Sequence, residues 1–510
     1  MSSSQSSRHY DLAAYNAVIR ARASDEDRQL PSAALQGSIP EALRGGAYLL
    51  NGPGLLELGG RLMHPFDGHG FVRALRFDED GGVRYQGRFV DTMAHRIEAS
   101  QGLIRYCGLG TLVAEPNLLR GGFLENLRAP SGKDVANTAI VPWGGRLLAL
   151  WEGGLPHALD PETLETLGAE SFGSSIDAPF LAHVRIDHPR GRLVGLSPRP
   201  GAKETKLSFY ELDAEGRFYG RRDLAIPGFT VIHDFAITER YYVVFAAAMR
   251  PDLRAFLRAK LGLGTLIRAV ELDTSRASTV YLIPREGGGP AVPFSLGRTL
   301  FAIHHASAHD LLGPDGRASA VVFDSCCFER FEFGREFGYR GPDRPLEPGL
   351  DDDGQYLWRF HMDVEGGRAT GTKLSPWCVD FPRVHPERDG YGCRNIYGAT
   401  NEGPGVAYPF TALIRVDTEV AEASTEVAEA STIWSPGEGR LCGEPVFAPD
   451  PEGADEDAGW LVAMTYDGDP EQARTTLCIL DAARLDEGPI AEIDLGELLP
   501  YGFHGNWLPA

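Results

Sequence analysis

The chain has 510 residues, 43% of them apolar, and a formal charge of -22 at pH 7. So acidic a protein excludes a general nucleic-acid binder, because phosphate contacts need a basic face. The length allows several average domains or one large closed all-β domain, and the apolar share can fill a sizeable core.

The seven cysteines are an odd number, and none forms a C-x-x-C pair. They suit a reduced interior better than a disulfide framework. Residues 1–8 are Ser-rich and polar, without the apolar stretch of a secretory signal. No run approaches about 18 apolar residues, so no membrane-spanning helix is expected. A cytoplasmic protein is the expectation.

In chain order, Asp11 to Ala23 reads as a helix within an N-terminal extension, residues 1–30, with one domain following over 31–510. Arg73 to Val90 reads as a hairpin folded at Asp80-Gly81-Gly82. The stretches from Gly145 to Leu150 and from Gly191 to Leu196 each open a strand with Gly-Arg. Lys206 to Arg217 is a second hairpin, turning at Asp213 to Gly216. Tyr241 to Ala248, Ala320 to Phe328 and Gly459 to Tyr466 read as further strands. With 61 glycines and 35 prolines, the pattern is many-stranded antiparallel β, a barrel or a propeller. No strict repeat fixes a blade number.

Two segments stand apart. Pro251 to Ala269 reads as a helix with Leu253, Phe256, Leu257 and Leu261 on one face and mainly basic charges among them. It fits a cap over the β core, or an amphipathic patch that docks on lipid through Phe256, Leu257 and Leu261. Residues 419–425 and 426–432 both read EVAEAST, most simply a surface-loop insertion.

Fourteen histidines are present, and four have notable contexts. They are His183 in Phe-Leu-Ala-His-Val, His233 in His-Asp-Phe-Ala-Ile-Thr, His304 in Phe-Ala-Ile-His-His-Ala and His504 in Tyr-Gly-Phe-His-Gly-Asn-Trp. They are too far apart for a local zinc clip, so they meet only if the whole chain closes on itself. A propeller allows that, since each inner strand can deliver a side chain to the axis. Four imidazoles suit Fe(II), with copper and zinc open on ligand type. Neutral ligands call for nearby carboxylates to accept the outer ring N–H groups, and Glu152, Asp380 and Glu444 are the candidates.

The sequence resembles the carotenoid cleavage oxygenases, a family that includes the visual-cycle retinoid isomerase and bacterial stilbene-cleaving enzymes. Matching segments are Asn51-Gly-Pro, His64-Pro-Phe-Asp-Gly-His-Gly, Ala136-Asn-Thr, Leu150-Trp-Glu-Gly-Gly-Leu-Pro, His233-Asp-Phe-Ala-Ile-Thr, Asp380-Phe-Pro-Arg, Glu444-Pro-Val-Phe and the closing Tyr-Gly-Phe-His-Gly-Asn-Trp. Their order across nearly the whole chain beyond about residue 30 makes the match specific.

The resemblance implies an all-β, seven-bladed propeller with a helical cap over a substrate tunnel. It implies one Fe(II) per chain on His183, His233, His304 and His504, three of them oriented by Glu152, Asp380 and Glu444. Thr138 matches a residue near the open coordination position. The implied reaction is O2-dependent scission of a C=C bond, giving two carbonyl products.

There are departures. Ser307 and Asp310 stand where the family carries Asn and Glu after the third histidine. Asp380 replaces a Glu, so its carboxylate is expected to reach its histidine only through a water or a shifted backbone. Trp151 occupies the position where stilbene cleavers commonly carry a phenol-gripping Lys. It fits the lining of a tunnel for an apolar polyene, a carotenoid or apocarotenoid, and equally core packing. The alternatives are a stilbene- or phenylpropanoid-cleaving oxygenase, a retinoid-type isomerohydrolase that consumes no O2, and a metal-free binding propeller.

Overall fold

A computed structural model describes residues 10–112, 133–176, 179–260, 263–348, 354–401, 408–423 and 427–510. Alternating apolar segments punctuated by glycine turns pair into antiparallel sheets, arranged as the blades of a seven-bladed propeller. The expected hairpin comprises His69–Phe77 and Val83–Phe89, turning where Gly81 takes φ +85, a conformation open to glycine at no steric cost. The second hairpin comprises Glu204–Leu212 and Phe218–Pro227.

Closure joins the two ends of the chain. The sheet of Glu26–Gln29, Val83–Phe89, His69–Phe77 and Ala47–Leu50 is completed by the C-terminal strand Gly505–Leu508. Leu35–Gly37 likewise completes the blade of Gly459–Asp467, Arg474–Asp481 and Pro489–Asp494. Two other blades share one 16-residue strand, Arg368–Arg383, which pairs with Gln355–Asp363 along its first part and with Asn395–Thr400 along its last. Core side chains such as Tyr48, Leu75, Val462 and Ile493 are fully buried between blades.

The N-terminal helix spans Leu12–Arg20, capped by the Asp11 carboxylate, and buries Tyr15, Val18 and Ile19 against the propeller. A helix over Met93–Gln101, not expected from the sequence, begins at Thr92 and ends at Gly102 in a left-handed conformation. The segment expected as one long helix is helical over Leu253–Lys260, with a separate turn at Ile267–Ala269. The EVAEAST duplication is not a plain surface loop, as residues of both copies show. Ala421 and Ala430 are buried, and Glu422 binds both Arg359 and His361.

Candidate metal centre and substrate cavity

The four histidines arrive from four blades. His183 precedes the inner strand Arg185–Asp187, His233 precedes Ala236–Ile237, His304 lies within Phe301–Leu312, and His504 immediately precedes Gly505–Leu508. Their candidate ligand atoms all lie within 4.8 Å of one another. The ring of His183 sits 4.6 Å from that of His233, 5.0 Å from His304 and 4.5 Å from His504.

Carboxylates hold three of the rings from behind. Nδ1 of His233 is 2.7 Å from Glu152 Oε1, Nδ1 of His304 is 2.6 Å from Asp380 Oδ1, and Nδ1 of His504 is 2.8 Å from Glu444 Oε1. At His304 and His504 the hydrogen bond fixes the tautomer, leaving Nε2 with a lone pair directed inward, while Glu152 lies at ion-pair distance from His233. His183 has imidazoles as its neighbours instead. Burial and then those neighbouring rings hold its pKa well below the usual histidine value, so it too presents a neutral nitrogen. Burial also lowers His504, whereas at His233 the Glu152 carboxylate outweighs burial and raises the ring. Glu444 is pushed up by burial, but Arg383 and His504 hold it at about 2.

This donor set fits a metal ion. Nε2 of His304 is buried without a hydrogen-bond partner, a costly state for a polar atom unless something else satisfies it. The Nε2 atoms of His183 and His233 are 3.0 Å apart. That is the separation of adjacent ligands about 2.1 Å from one ion.

Beside the histidines lies a cavity of about 680 Å³ that His233, His304 and His504 enter from one side. Phe66, Ile303, Phe331, Phe381, Phe410 and Phe503 give it a largely apolar wall, the usual design for burying an apolar ligand. His183 faces a second, polar cavity of about 90 Å³ together with Arg185, Asp234, Arg383 and Glu444. Segments around 107–109, 266 and 330–340 cover the large cavity. Among the described residues, Leu266 lines it and helix Leu253–Lys260 does not, so the described part of the cover is mainly turns.

Thr138 lines the cavity, and its carbonyl accepts the His504 backbone N–H at 3.1 Å. Trp151 both lines the cavity and belongs to a buried cluster with Val135 and Leu159. Its indole lies over Gly153 and Gly154, where added Cβ atoms would meet the ring at 2.0 and 2.9 Å. Phe256 and Leu257 are exposed on their helix, and Leu261 lies outside the described residues.

The family model described as RPE65, retinal pigment epithelial membrane protein, matches residues 21–509. An apocarotenoid-15,15'-oxygenase of Synechocystis is 35% identical over 484 residues, covering 93% of this chain and 92% of that protein. This chain belongs to the carotenoid cleavage oxygenase family. The oxygenase also resembles rice carotenoid cleavage dioxygenase 7 at 29% identity, over 97% of this chain and 90% of that one. A Sphingomonas paucimobilis lignostilbene-alpha,beta-dioxygenase is 25% identical over 87% of each chain. Among solved structures, cobalt-substituted Synechocystis ACO superposes with a TM-score of 0.87 at 31% identity, covering 99% of this chain and all of that one.

Two departures of this oxygenase from its family are structural. Ser307 Oγ accepts the Gly390 N–H at 3.3 Å. Asp310 accepts the Thr238 hydroxyl at 2.9 Å and the Arg240 N–H at 3.2 Å, tying neighbouring blades together. At the third, Asp380 reaches His304 directly, so of the two expected routes it is the shifted backbone and not a bridging water. It does so from a β-bulge between Asp380 and Arg383 in which Phe381 takes φ +50. The sequence reading missed Arg185, Asp234 and Arg383 around the centre. The only signal was their closeness to the histidines and carboxylates, as in His183-Val-Arg, His233-Asp and Asp380-Phe-Pro-Arg.

Proposed function

We propose that this oxygenase uses one Fe(II) per chain and O2 to cleave a single C=C bond of a carotenoid or apocarotenoid, giving two carbonyl products. The observation that carries this reading is the convergence of four imidazoles beside a largely apolar cavity, three of them on its wall. His183, His233, His304 and His504 would hold the iron, Asp380 and Glu444 keep two of those rings in the ligating tautomer, and Glu152 backs a third. Ferrous iron so held would supply the activation of O2. The cavity wall excludes water and holds one double bond of the polyene beside the centre. Thr138 stands next to His504 on that wall, where it would border the metal and the bound substrate. No side chain is required to move a proton.

Trp151 favours a polyene over a phenolic stilbene, because an indole offers apolar area where a phenol-gripping Lys would offer charge. The deciding experiment is anaerobic reconstitution with Fe(II), then incubation under 18O2 with an apocarotenal, a carotenoid and a hydroxystilbene. Labelled aldehydes from the first or second are expected. Cleavage of the stilbene alone would replace the substrate assignment, and absence of bound iron would end the metal-centre reading.

We also read helix Leu253–Lys260 as a membrane contact of a cytoplasmic protein that withdraws its substrate from lipid. Leu253, Phe256 and Leu257 are exposed on it beside Arg254 and Arg258, the composition of an interfacial helix. Leu263 and Leu266 continue the exposed apolar surface towards the cavity that Leu266 lines. Among the described residues, no helix is long and apolar enough to cross a membrane. No disulfide joins the cysteines among the described residues, which suits a reducing compartment. Flotation with anionic liposomes should fall when Phe256 and Leu257 are both changed to Ser; undiminished binding removes this helix from the account.

A further inference from the structure

Behind the histidines, on the side away from the substrate cavity, Arg185 is surrounded by groups from the other histidine-bearing segments. Its guanidinium binds both carboxylate oxygens of Asp234 at 2.9 and 2.7 Å, and Asp389 at 3.2 Å. It also donates to the carbonyls of Phe235 at 2.6 Å and His305 at 3.0 Å. Asp234 in turn accepts the backbone N–H groups of Phe235 at 2.7 Å and His305 at 2.8 Å. Arg185 lies two residues beyond His183, Asp234 one beyond His233, and His305 one beyond His304.

We propose that Arg185 and Asp234 are positioning residues for the metal centre, an ion pair that fixes the mutual placement of the segments bearing His183, His233 and His304. Three short segments from different blades converge at the axis, and backbone pairing within each blade sets no distance between them. A planar guanidinium with several donors in a fixed fork, met by a carboxylate accepting from two backbones, supplies those distances. Neither side chain can be replaced cheaply in so buried a place: without Arg185 both Asp234 and Asp389 lose their counter-charge, and without Asp234 the guanidinium keeps only Asp389. His504, on the fourth blade, has a separate clamp. Arg383 donates to Glu444 at 2.7 Å and to the Gly505 carbonyl at 2.8 Å, while Glu444 accepts the Gly505 N–H at 2.7 Å.

This inference rests on the metal-centre reading, and its test separates the two. Co(II) is titrated anaerobically into the full-length apoprotein and into Arg185→Lys and Asp234→Asn, following the d–d absorption and the binding constant. Arg185→Lys keeps the charge but loses the fork. Asp234→Asn keeps the shape but loses the charge, and being nearly isosteric it keeps the test available if the lysine variant does not fold. Expected are binding weakened about ten-fold or more, an altered d–d band, and less stabilisation of the melting temperature by metal. A purely structural role would lower the melting temperature of apo and metal-loaded protein alike and leave the spectrum unchanged. Wild-type affinity and band shape in a folded variant overturn the proposal. If the wild type itself takes up no Co(II), it is the metal-centre reading that fails.

Discussion

The Nδ1 atom of His304 and the Oδ1 atom of Asp380 are 2.6 Å apart, although 76 residues separate them in the chain. An aspartate is one methylene shorter than the glutamate usual in the family, so the backbone must come closer to make the same contact. It does so at a bulge near the end of strand Arg368–Arg383. Bulges re-aim side chains where a regular ladder would not.

Asp380→Asn should weaken metal binding about ten- to a hundred-fold, as loss of a carboxylate behind a ligating histidine typically does. Asp380→Glu should weaken it too, since the contact is already short and the longer side chain has no room to extend. Competition with a chromophoric chelator measures both; an Asp380→Glu variant that binds more tightly would show that the bulge does not compensate for length.

Gly153→Ala should unseat the Trp151 indole, because the new methyl would lie 2.0 Å from the ring. Overpacking of this kind costs about 1–3 kcal/mol. Melting temperature and kcat/KM for the polyene should both fall. Adding Trp151→Leu should recover the melting temperature but not the activity. Full activity in Gly153→Ala would mean that the indole position does not matter to the substrate.

Asp310→Ala should destabilise the protein by about 1–3 kcal/mol through the unpaired Thr238 hydroxyl and Arg240 N–H. Metal content should stay at the wild-type level, because Asp310 bridges blades and does not touch the histidines. Metal analysis beside chemical denaturation distinguishes this from a role at the centre.

His69, Glu98 and Lys133 form a buried cluster, with Glu98 2.9 Å from His69 and 2.8 Å from Lys133. Burial, then the Lys133 charge, depresses His69 to about 3. Glu98 is raised by burial but brought to about 2 by Lys133 and His69. Between the ordinary histidine value near 6.5 and about 3, the unfolded chain therefore binds a proton at His69 that the folded chain does not. Glu98 adds the same sign below about 4.5. Stability should fall steadily as pH drops from 6.5 towards 3, and His69→Gln should flatten that slope. An unchanged slope of melting temperature against pH in the variant would show that His69 titrates normally in the fold.

The sequence by itself determined the hairpins, their glycine turns and the set of four histidines, because alternation, turn chemistry and motif order are local properties of the chain. It also carried the signals of the missed helix Met93–Gln101, Thr92 at its start and Gly102 at its end, too short and weakly amphipathic to stand out. Only the tertiary structure decided that Asp380 touches His304 directly, that Asp310 and Ser307 serve blade contacts, and that Arg185 meets Asp234. The reason is physical. Local pattern fixes which face a side chain takes, but contacts across the propeller axis depend on closure of the whole ring and on bulges that shift a strand by a fraction of a residue.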